Sequence, residues 1–222
     1  MAVRENLQYF LNEIPRGVTL VAVSKTKPVS DIMEAYQCGQ RIFGENKVQE
    51  LISKQPQLPE DIEWHLIGHL QTNKVKYIAP FVSLIESVDS LKLLKEINKQ
   101  GAKINRTINC LLQFHIANES TKFGLDFQEA AGLLSSAEFT SMNYITICGV
   151  MGMATFTEDE EVVRGEFARL KTIFENLKNE FFQGVDSFKE ISMGMSGDFR
   201  IAIEEGSTMV RIGSSIFGDR IY

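Results

Sequence analysis

Short apolar runs alternate with amphipathic helical stretches along almost the whole chain, and this alternation constrains the fold more than any other property of the sequence. Val3, Leu7, Phe10, Leu11 and Ile14 recur at helical spacing, so an amphipathic helix opens the chain and Pro15 and Gly17 close it. A strand is expected over 20–25. A helix follows to about residue 38, with Ser30 and Asp31 as its caps and Gly39 just past its end. The pattern then repeats as strand 41–45 and helix 46–54, strand 62–67 and helix 71–78, strand 82–88 and helix 90–100. Strand 107–116 and helix 127–136, strand 144–150 and helix 160–182, strand 188–192 and helix 198–205, and a last strand over 208–212 complete it.

Strands separated by helices demand a mostly parallel sheet covered by helices. Eight such units in 222 residues favour a closed (β/α)8 barrel of the TIM type, with one extra N-terminal helix, over an open doubly wound sheet. No linker, repeat or low-complexity segment divides the chain, so residues 1–222 are expected to form a single domain.

Composition narrows the partners. A formal charge of −6 argues against a nucleic-acid backbone or an anionic membrane as the main partner, while leaving room for a local basic site. The first residues carry no apolar signal core, and no run approaches the roughly 18 apolar residues of a membrane span. Cys38, Cys110 and Cys148 are widely spaced and odd in number, which reads as free thiols in a reducing cytoplasm.

In a barrel of this kind, functional groups gather at the C-terminal ends of the strands, and phosphate tends to bind after strands seven and eight. Both ends look suited to it. Ser192-Met-Gly-Met-Ser-Gly-Asp198 follows strand seven and Arg211-Ile-Gly-Ser-Ser-Ile-Phe-Gly218 follows strand eight. Glycines let backbone N–H groups approach an anion, serines add hydroxyl donors, and a following helix favours negative charge. Arg211 suits either the anion or an ion pair lining the barrel. On the first strand, Val21, Val23 and Lys25 share a face. Lys25 is either a solvated residue at a strand end or a desolvated amine suited to imine chemistry.

Gly44-Glu-Asn46 after strand two reads as a helix cap or as part of the same site. His65 and His69 are four apart, but Gly68 lies between them and no third ligand is near, so no metal site is expected. Lys122, after strand five, reads as solvated.

Five stretches together resemble one family. They are Val21-Ala-Val-Ser-Lys-Thr-Lys-Pro28, Phe43-Gly-Glu-Asn46, Trp64-His-Leu-Ile-Gly-His-Leu-Gln-Thr-Asn-Lys74, Ser192-Met-Gly-Met-Ser-Gly-Asp198 and Val210-Arg-Ile-Gly-Ser-Ser-Ile-Phe-Gly218. Their sequence and order closely resemble the pyridoxal phosphate homeostasis proteins, small barrels related to the N-terminal domain of alanine racemase. The resemblance implies pyridoxal 5'-phosphate (PLP) held as a Schiff base on Lys25 rather than Lys27. It also implies Ser196, Arg211, Gly213 and Ser214 around the phosphate, and Asn46 and Met195 as cofactor neighbours. His115 departs from the asparagine usual in the family, and Ser215 from the usual alanine or other small residue.

The expected function is therefore a non-enzymatic role in vitamin B6 homeostasis and in the balance of amino and keto acids. The chain has no room for the second, β-rich domain that encloses the racemase site. None of Tyr9, Tyr36, Tyr77, Tyr144 and Tyr222 is an evident base opposite Lys25. No catalytic residue is assigned. The alternatives are a slow PLP-dependent amino-acid racemase and a PLP-free barrel enzyme acting on a sugar phosphate. PLP-dependent apo-enzymes are the expected macromolecular partners, and the chain is expected to be a monomer or weak dimer in the cytoplasm.

Overall fold

Eight parallel strands close into a ring in chain order, each hydrogen-bonded to the next and β8 to β1, in a computed structural model that describes residues 3–117 and 123–218. The strands are β1 (Thr19–Val23), β2 (Ile42–Glu45), β3 (Glu63–Leu66), β4 (Leu84–Val88), β5 (Ile108–Phe114), β6 (Ile145–Gly152), β7 (Glu190–Ser192) and β8 (Met209–Ile212). The helices between them are α2 (Val29–Gln37), α3 (Val48–Lys54), α4 (Val75–Ile78), α5 (Leu91–Lys103), α6 (Phe127–Leu134), α7 (Ala137–Thr140), α8 (Glu160–Phe181) and α9 (Phe199–Glu204). The expected (β/α)8 barrel and its extra first helix, α1 (Val3–Glu13), are both present.

The burial pattern explains why these apolar runs became strands. Along β1, Leu20 and Ala22 join the large apolar layer between sheet and helices, while Val21 joins Leu84, Leu111, Met151 and Met209 inside the barrel. Alternate residues are thus buried on both faces, as a strand wholly enclosed by helices requires. On the helices, one face supplies the outer layer: Val163, Phe167, Leu170, Phe174 and Leu177 are the apolar residues that α8 buries, much as its periodicity demands.

Some boundaries differ from the sequence expectation. The first strand stops at Val23 because the chain turns there, with Thr26 in the left-handed region at φ 65°. Ser30 and Asp31 do not cap α2. Pro28 holds the N-cap position with no side-chain bond, and the Ser30 hydroxyl donates instead to Asp31 at 3.2 Å. Gly39 does follow the helix at φ 98°, a conformation that suits glycine. The four-residue helices α7 and α10 (Ser214–Phe217) were not expected, being too short to show a period.

Candidate functional site

At the C-terminal ends of the strands lies a cavity of about 680 Å3, within the usual range for a small-molecule site. Every residue singled out as a cofactor contact lines it: Lys25, Asn46, Met195, Ser196, Arg211, Gly213 and Ser214. They come from the ends of β1, β2, β7 and β8, which the barrel closure brings side by side. Lys122 lies outside the described residues.

The lysine side is built on the turn after β1. Lys25 is half-buried and lies in the turn just past Val23, on the cavity wall. Lys27 lines the same cavity and is only 8% exposed, so it is more buried than Lys25. It lies past the strand end, next to Pro28. The turn rests on buried charge between β1, β2 and α3. Lys54 Nζ donates to the Ser24 carbonyl at 2.9 Å, to Glu45 Oε1 at 2.8 Å and to Glu50 Oε1 at 2.7 Å. Ser24 Oγ donates to Glu45 Oε1 at 2.7 Å, and the Thr26 N–H donates to Glu50. Burial pushes the Glu45 carboxyl above the usual glutamate range, although Lys54 and Ser24 pull it back. Glu45 Oε2 has no hydrogen-bond partner.

The opposite wall is made by the two Gly/Ser loops. Met195 N–H donates to Asp198 Oδ1 at 2.5 Å, and Phe199 N–H to the Met195 carbonyl at 3.0 Å, which closes the first loop into a turn. Gly194 sits at φ 93°, and a Cβ there would lie 2.6 Å from that of Ala202, so no other residue fits. In the second loop, a Cβ on Gly213 would lie 3.1 Å from the Val23 carbonyl oxygen, a close approach of β8 to β1. The Arg211 N–H donates to the Gly194 carbonyl at 2.9 Å and ties the two loops together. α9 and α10 have only 6 and 4 residues, so loop amides and hydroxyls, rather than a helix dipole, are the donors this wall offers.

Below the cavity, the barrel interior is polar. His65 Nδ1 lies 2.7 Å from Glu86 Oε1, and Ser192 Oγ donates to Glu86 Oε2 at 2.5 Å. Arg211 donates to Ser192 Oγ at 2.6 Å and to the Gly152 carbonyl at 3.0 Å, with Glu86 Oε2 at 3.9 Å. Arg211 thus lines the cavity and also makes the barrel-lining ion pair that the sequence left open. Burial lowers its pKa, opposed by the charges of Glu86 and Asp198, and a guanidinium stays cationic regardless. Burial by itself raises the Glu86 carboxyl, but the hydrogen bond and charge of His65, the charge of Arg211 and the Ser192 hydroxyl outweigh it and hold the group below its usual range.

Sequence reasoning did not identify Glu86, Ser192 or Asp198 as site residues. A signal existed for Glu86: an acid inside the apolar run of β4 is informative, because such residues are rarely buried without a partner. The two histidines part company, since His65 faces the barrel interior while His69 sits at the rim against Asp89 at 3.2 Å. Among the described residues no group of three or more His, Cys, Asp or Glu is placed to hold a metal ion. Burial raises the thiol pKa of Cys110 and of Cys148.

The family described as alanine racemase, N-terminal domain, matches residues 1–221. A pyridoxal phosphate homeostasis protein of Aquifex aeolicus is 39% identical over 225 residues, covering 99% of this chain and 96% of its own length. That of Bos taurus is 40% identical over 239 residues, covering 100% of this chain and 86% of its own. The solved structure of PipY from Synechococcus elongatus, with PLP bound, superposes with a TM-score of 0.89 at 34% identity, over 97% of this chain and 100% of that one. The chain belongs to the alanine racemase N-terminal domain family and, within it, to the pyridoxal phosphate homeostasis proteins.

Proposed function

We propose that this protein holds PLP as a Schiff base on Lys25 and keeps it available without turning over an amino acid. The observation that carries this is the convergence in one cavity of a strand-end lysine, two Gly/Ser loops and a buried arginine. The cavity suits the cofactor chemically. Lys25 supplies an amine for the aldehyde. Ser196, Gly213 and Ser214 offer hydroxyl and backbone donors to the phosphate, beside the buried positive charge of Arg211. Val23, Ile67 and Met195 offer apolar surface to the ring. Asn46 Oδ1 is a buried acceptor at this wall with no partner in the protein, matched to a donor such as the ring hydroxyl.

PLP supplies an electron sink for carbanion chemistry, and a protein turns it into an enzyme by placing acids and bases at the substrate carbon. Among the described residues no tyrosine lines the cavity. Tyr9 accepts from Arg200 at 2.7 Å, Tyr36 donates to Asp61 at 2.8 Å, and Tyr77 is exposed. These positions favour a carrier over a racemase. We assign it, as one domain over residues 1–222, to the cytoplasm as a monomer or weak dimer. Its role there is vitamin B6 supply to PLP-dependent apo-enzymes and amino/keto-acid balance. No helix among the described residues is long and apolar enough to cross a membrane.

The test is to incubate the PLP-loaded protein with L-amino acids in deuterated water. A carrier exchanges the α-proton no faster than free PLP does. Stereospecific exchange above that rate identifies a racemase or related enzyme instead.

A further inference from the structure

The eight βα units build the barrel without α1, yet α1 is fixed by a well-formed set of contacts. Asn6 and Phe10 are four residues apart and so share one face of the helix. Asn6 Nδ2 donates to the Ile216 carbonyl at 3.0 Å, and the Phe10 ring meets Phe199 edge-on with centroids 5.5 Å apart. Both targets lie directly behind the Gly/Ser loops. Ile216 N–H donates to the Gly213 carbonyl at 2.9 Å, so Ile216 is one turn from Gly213 and Ser214. Phe199 follows Asp198 and is bonded to Met195 at 3.0 Å, which places it behind Met195 and Ser196.

Further contacts reinforce the pattern. At the surface, Arg200 of α9 donates to Tyr9 Oη at 2.7 Å and to Glu13 Oε2 at 2.8 Å. On its other flank α1 reaches α2, where the Arg4 N–H donates to Glu34 Oε1 at 3.0 Å. α2 follows the turn that carries Lys25. One helix therefore spans the seam where the first and last units of the barrel meet.

Such a buttress has a physical purpose. The loops are glycine-rich, and the helices behind them, at 6 and 4 residues, are too short to be rigid by themselves. Several donors must converge on one phosphate to within about 0.5 Å for their hydrogen bonds to act together. α9 and α10 need an external reference, and α1 touches both.

We propose that α1 is a strap that sets the spacing of the two loops, with Asn6 and Phe10 as positioning residues for the phosphate of the cofactor. The proposal rests on the loops binding that phosphate, and it assigns the N-terminal helix a role in affinity rather than in folding alone. Its consequence is selective. Loosening the strap weakens ligands that carry phosphate and spares those that use only the amine and the ring pocket.

The experiment compares wild type, Asn6→Ala and Phe10→Leu for affinity toward PLP, toward pyridoxal, which has the same ring and aldehyde without the phosphate, and toward inorganic phosphate. Thermal unfolding of each protein without cofactor is recorded alongside. Asn6→Ala is expected to lose roughly five- to tenfold in affinity for PLP and for inorganic phosphate, in line with one misplaced hydrogen-bonded contact, while pyridoxal affinity changes by less than about twofold. Phe10→Leu is expected to show the same selectivity; if it does not fold, Asn6→Ala decides. An equal loss for PLP and pyridoxal, or no loss for either, overturns the strap. A wild type that binds pyridoxal as tightly as PLP and takes up no inorganic phosphate overturns the phosphate site itself, and the strap with it.

Discussion

Glu45 and Glu86 are both fully buried carboxylates beside the same cavity, one under the lysine turn and one under Arg211, yet burial prevails at the first and is overcome at the second. The difference lies in the partners each can use. Glu86 faces the barrel interior, where His65 and Arg211 both bear on it and Ser192 completes its hydrogen bonds. Glu45 faces the helix layer and shares Lys54 with a second acid, Glu50, while one of its own oxygens has no partner. The buried acid of the cavity floor thus has both oxygens bonded, whereas under the lysine turn one buried carboxylate oxygen is left without a hydrogen bond. An Arg211 held in place by Ser192 and the Gly152 carbonyl suits a fixed anion site.

Substitutions test this contrast in order of expected size. Glu86→Gln leaves Arg211 buried without its anion and should cost about 3–5 kcal/mol in denaturant unfolding. Lys54→Met leaves two acids facing each other, but Glu45 can take up a proton instead, so the cost should be about 1–3 kcal/mol. Glu45→Gln should cost under about 1 kcal/mol, because a neutral amide oxygen still accepts from Ser24 and Lys54. If Glu45→Gln proves as damaging as Glu86→Gln, the two networks are equivalent and the contrast fails.

Acidity separates the two sites by sign. The folded Glu86 carboxyl sits below its unfolded value, so its stabilisation is present above the ordinary carboxylate range and is lost as pH falls through the folded value. The folded Glu45 carboxyl sits above its unfolded value, so the fold loses stability as pH rises from the ordinary range through the raised one. On acidification, the advantage of wild type over Glu86→Gln should shrink, and the standing of wild type relative to Glu45→Gln should improve. Unfolding curves at several pH values check both slopes, and slopes of the same sign would refute the assignment.

The parts of the molecule that were legible in sequence share a physical cause. Strand and helix periods are local, so Val21 against Leu20 on β1 and the Phe167–Leu170–Phe174 face of α8 were readable, and counting units led to the closed barrel. The Gly/Ser loops and Lys25 were readable because the barrel places the ends of its strands on one face. What stayed hidden depends on groups far apart in the chain. Glu86 meets Ser192 across 106 residues, and Asn6 meets Ile216 across 210. No local pattern encodes such a pair. Lys27 was set aside because it lies past the strand end beside Pro28, and the turn at the left-handed Thr26 brings it to the same cavity wall as Lys25.

The assignment of Lys25 is therefore the claim most in need of a direct measurement, because two lysines line one cavity. PLP should be titrated into wild type, Lys25→Ala and Lys27→Ala while the visible absorbance of the protein-bound imine is followed. The account predicts that Lys25→Ala loses the band and Lys27→Ala keeps it. A band that persists in Lys25→Ala and disappears in Lys27→Ala contradicts it and moves the cofactor to the second lysine.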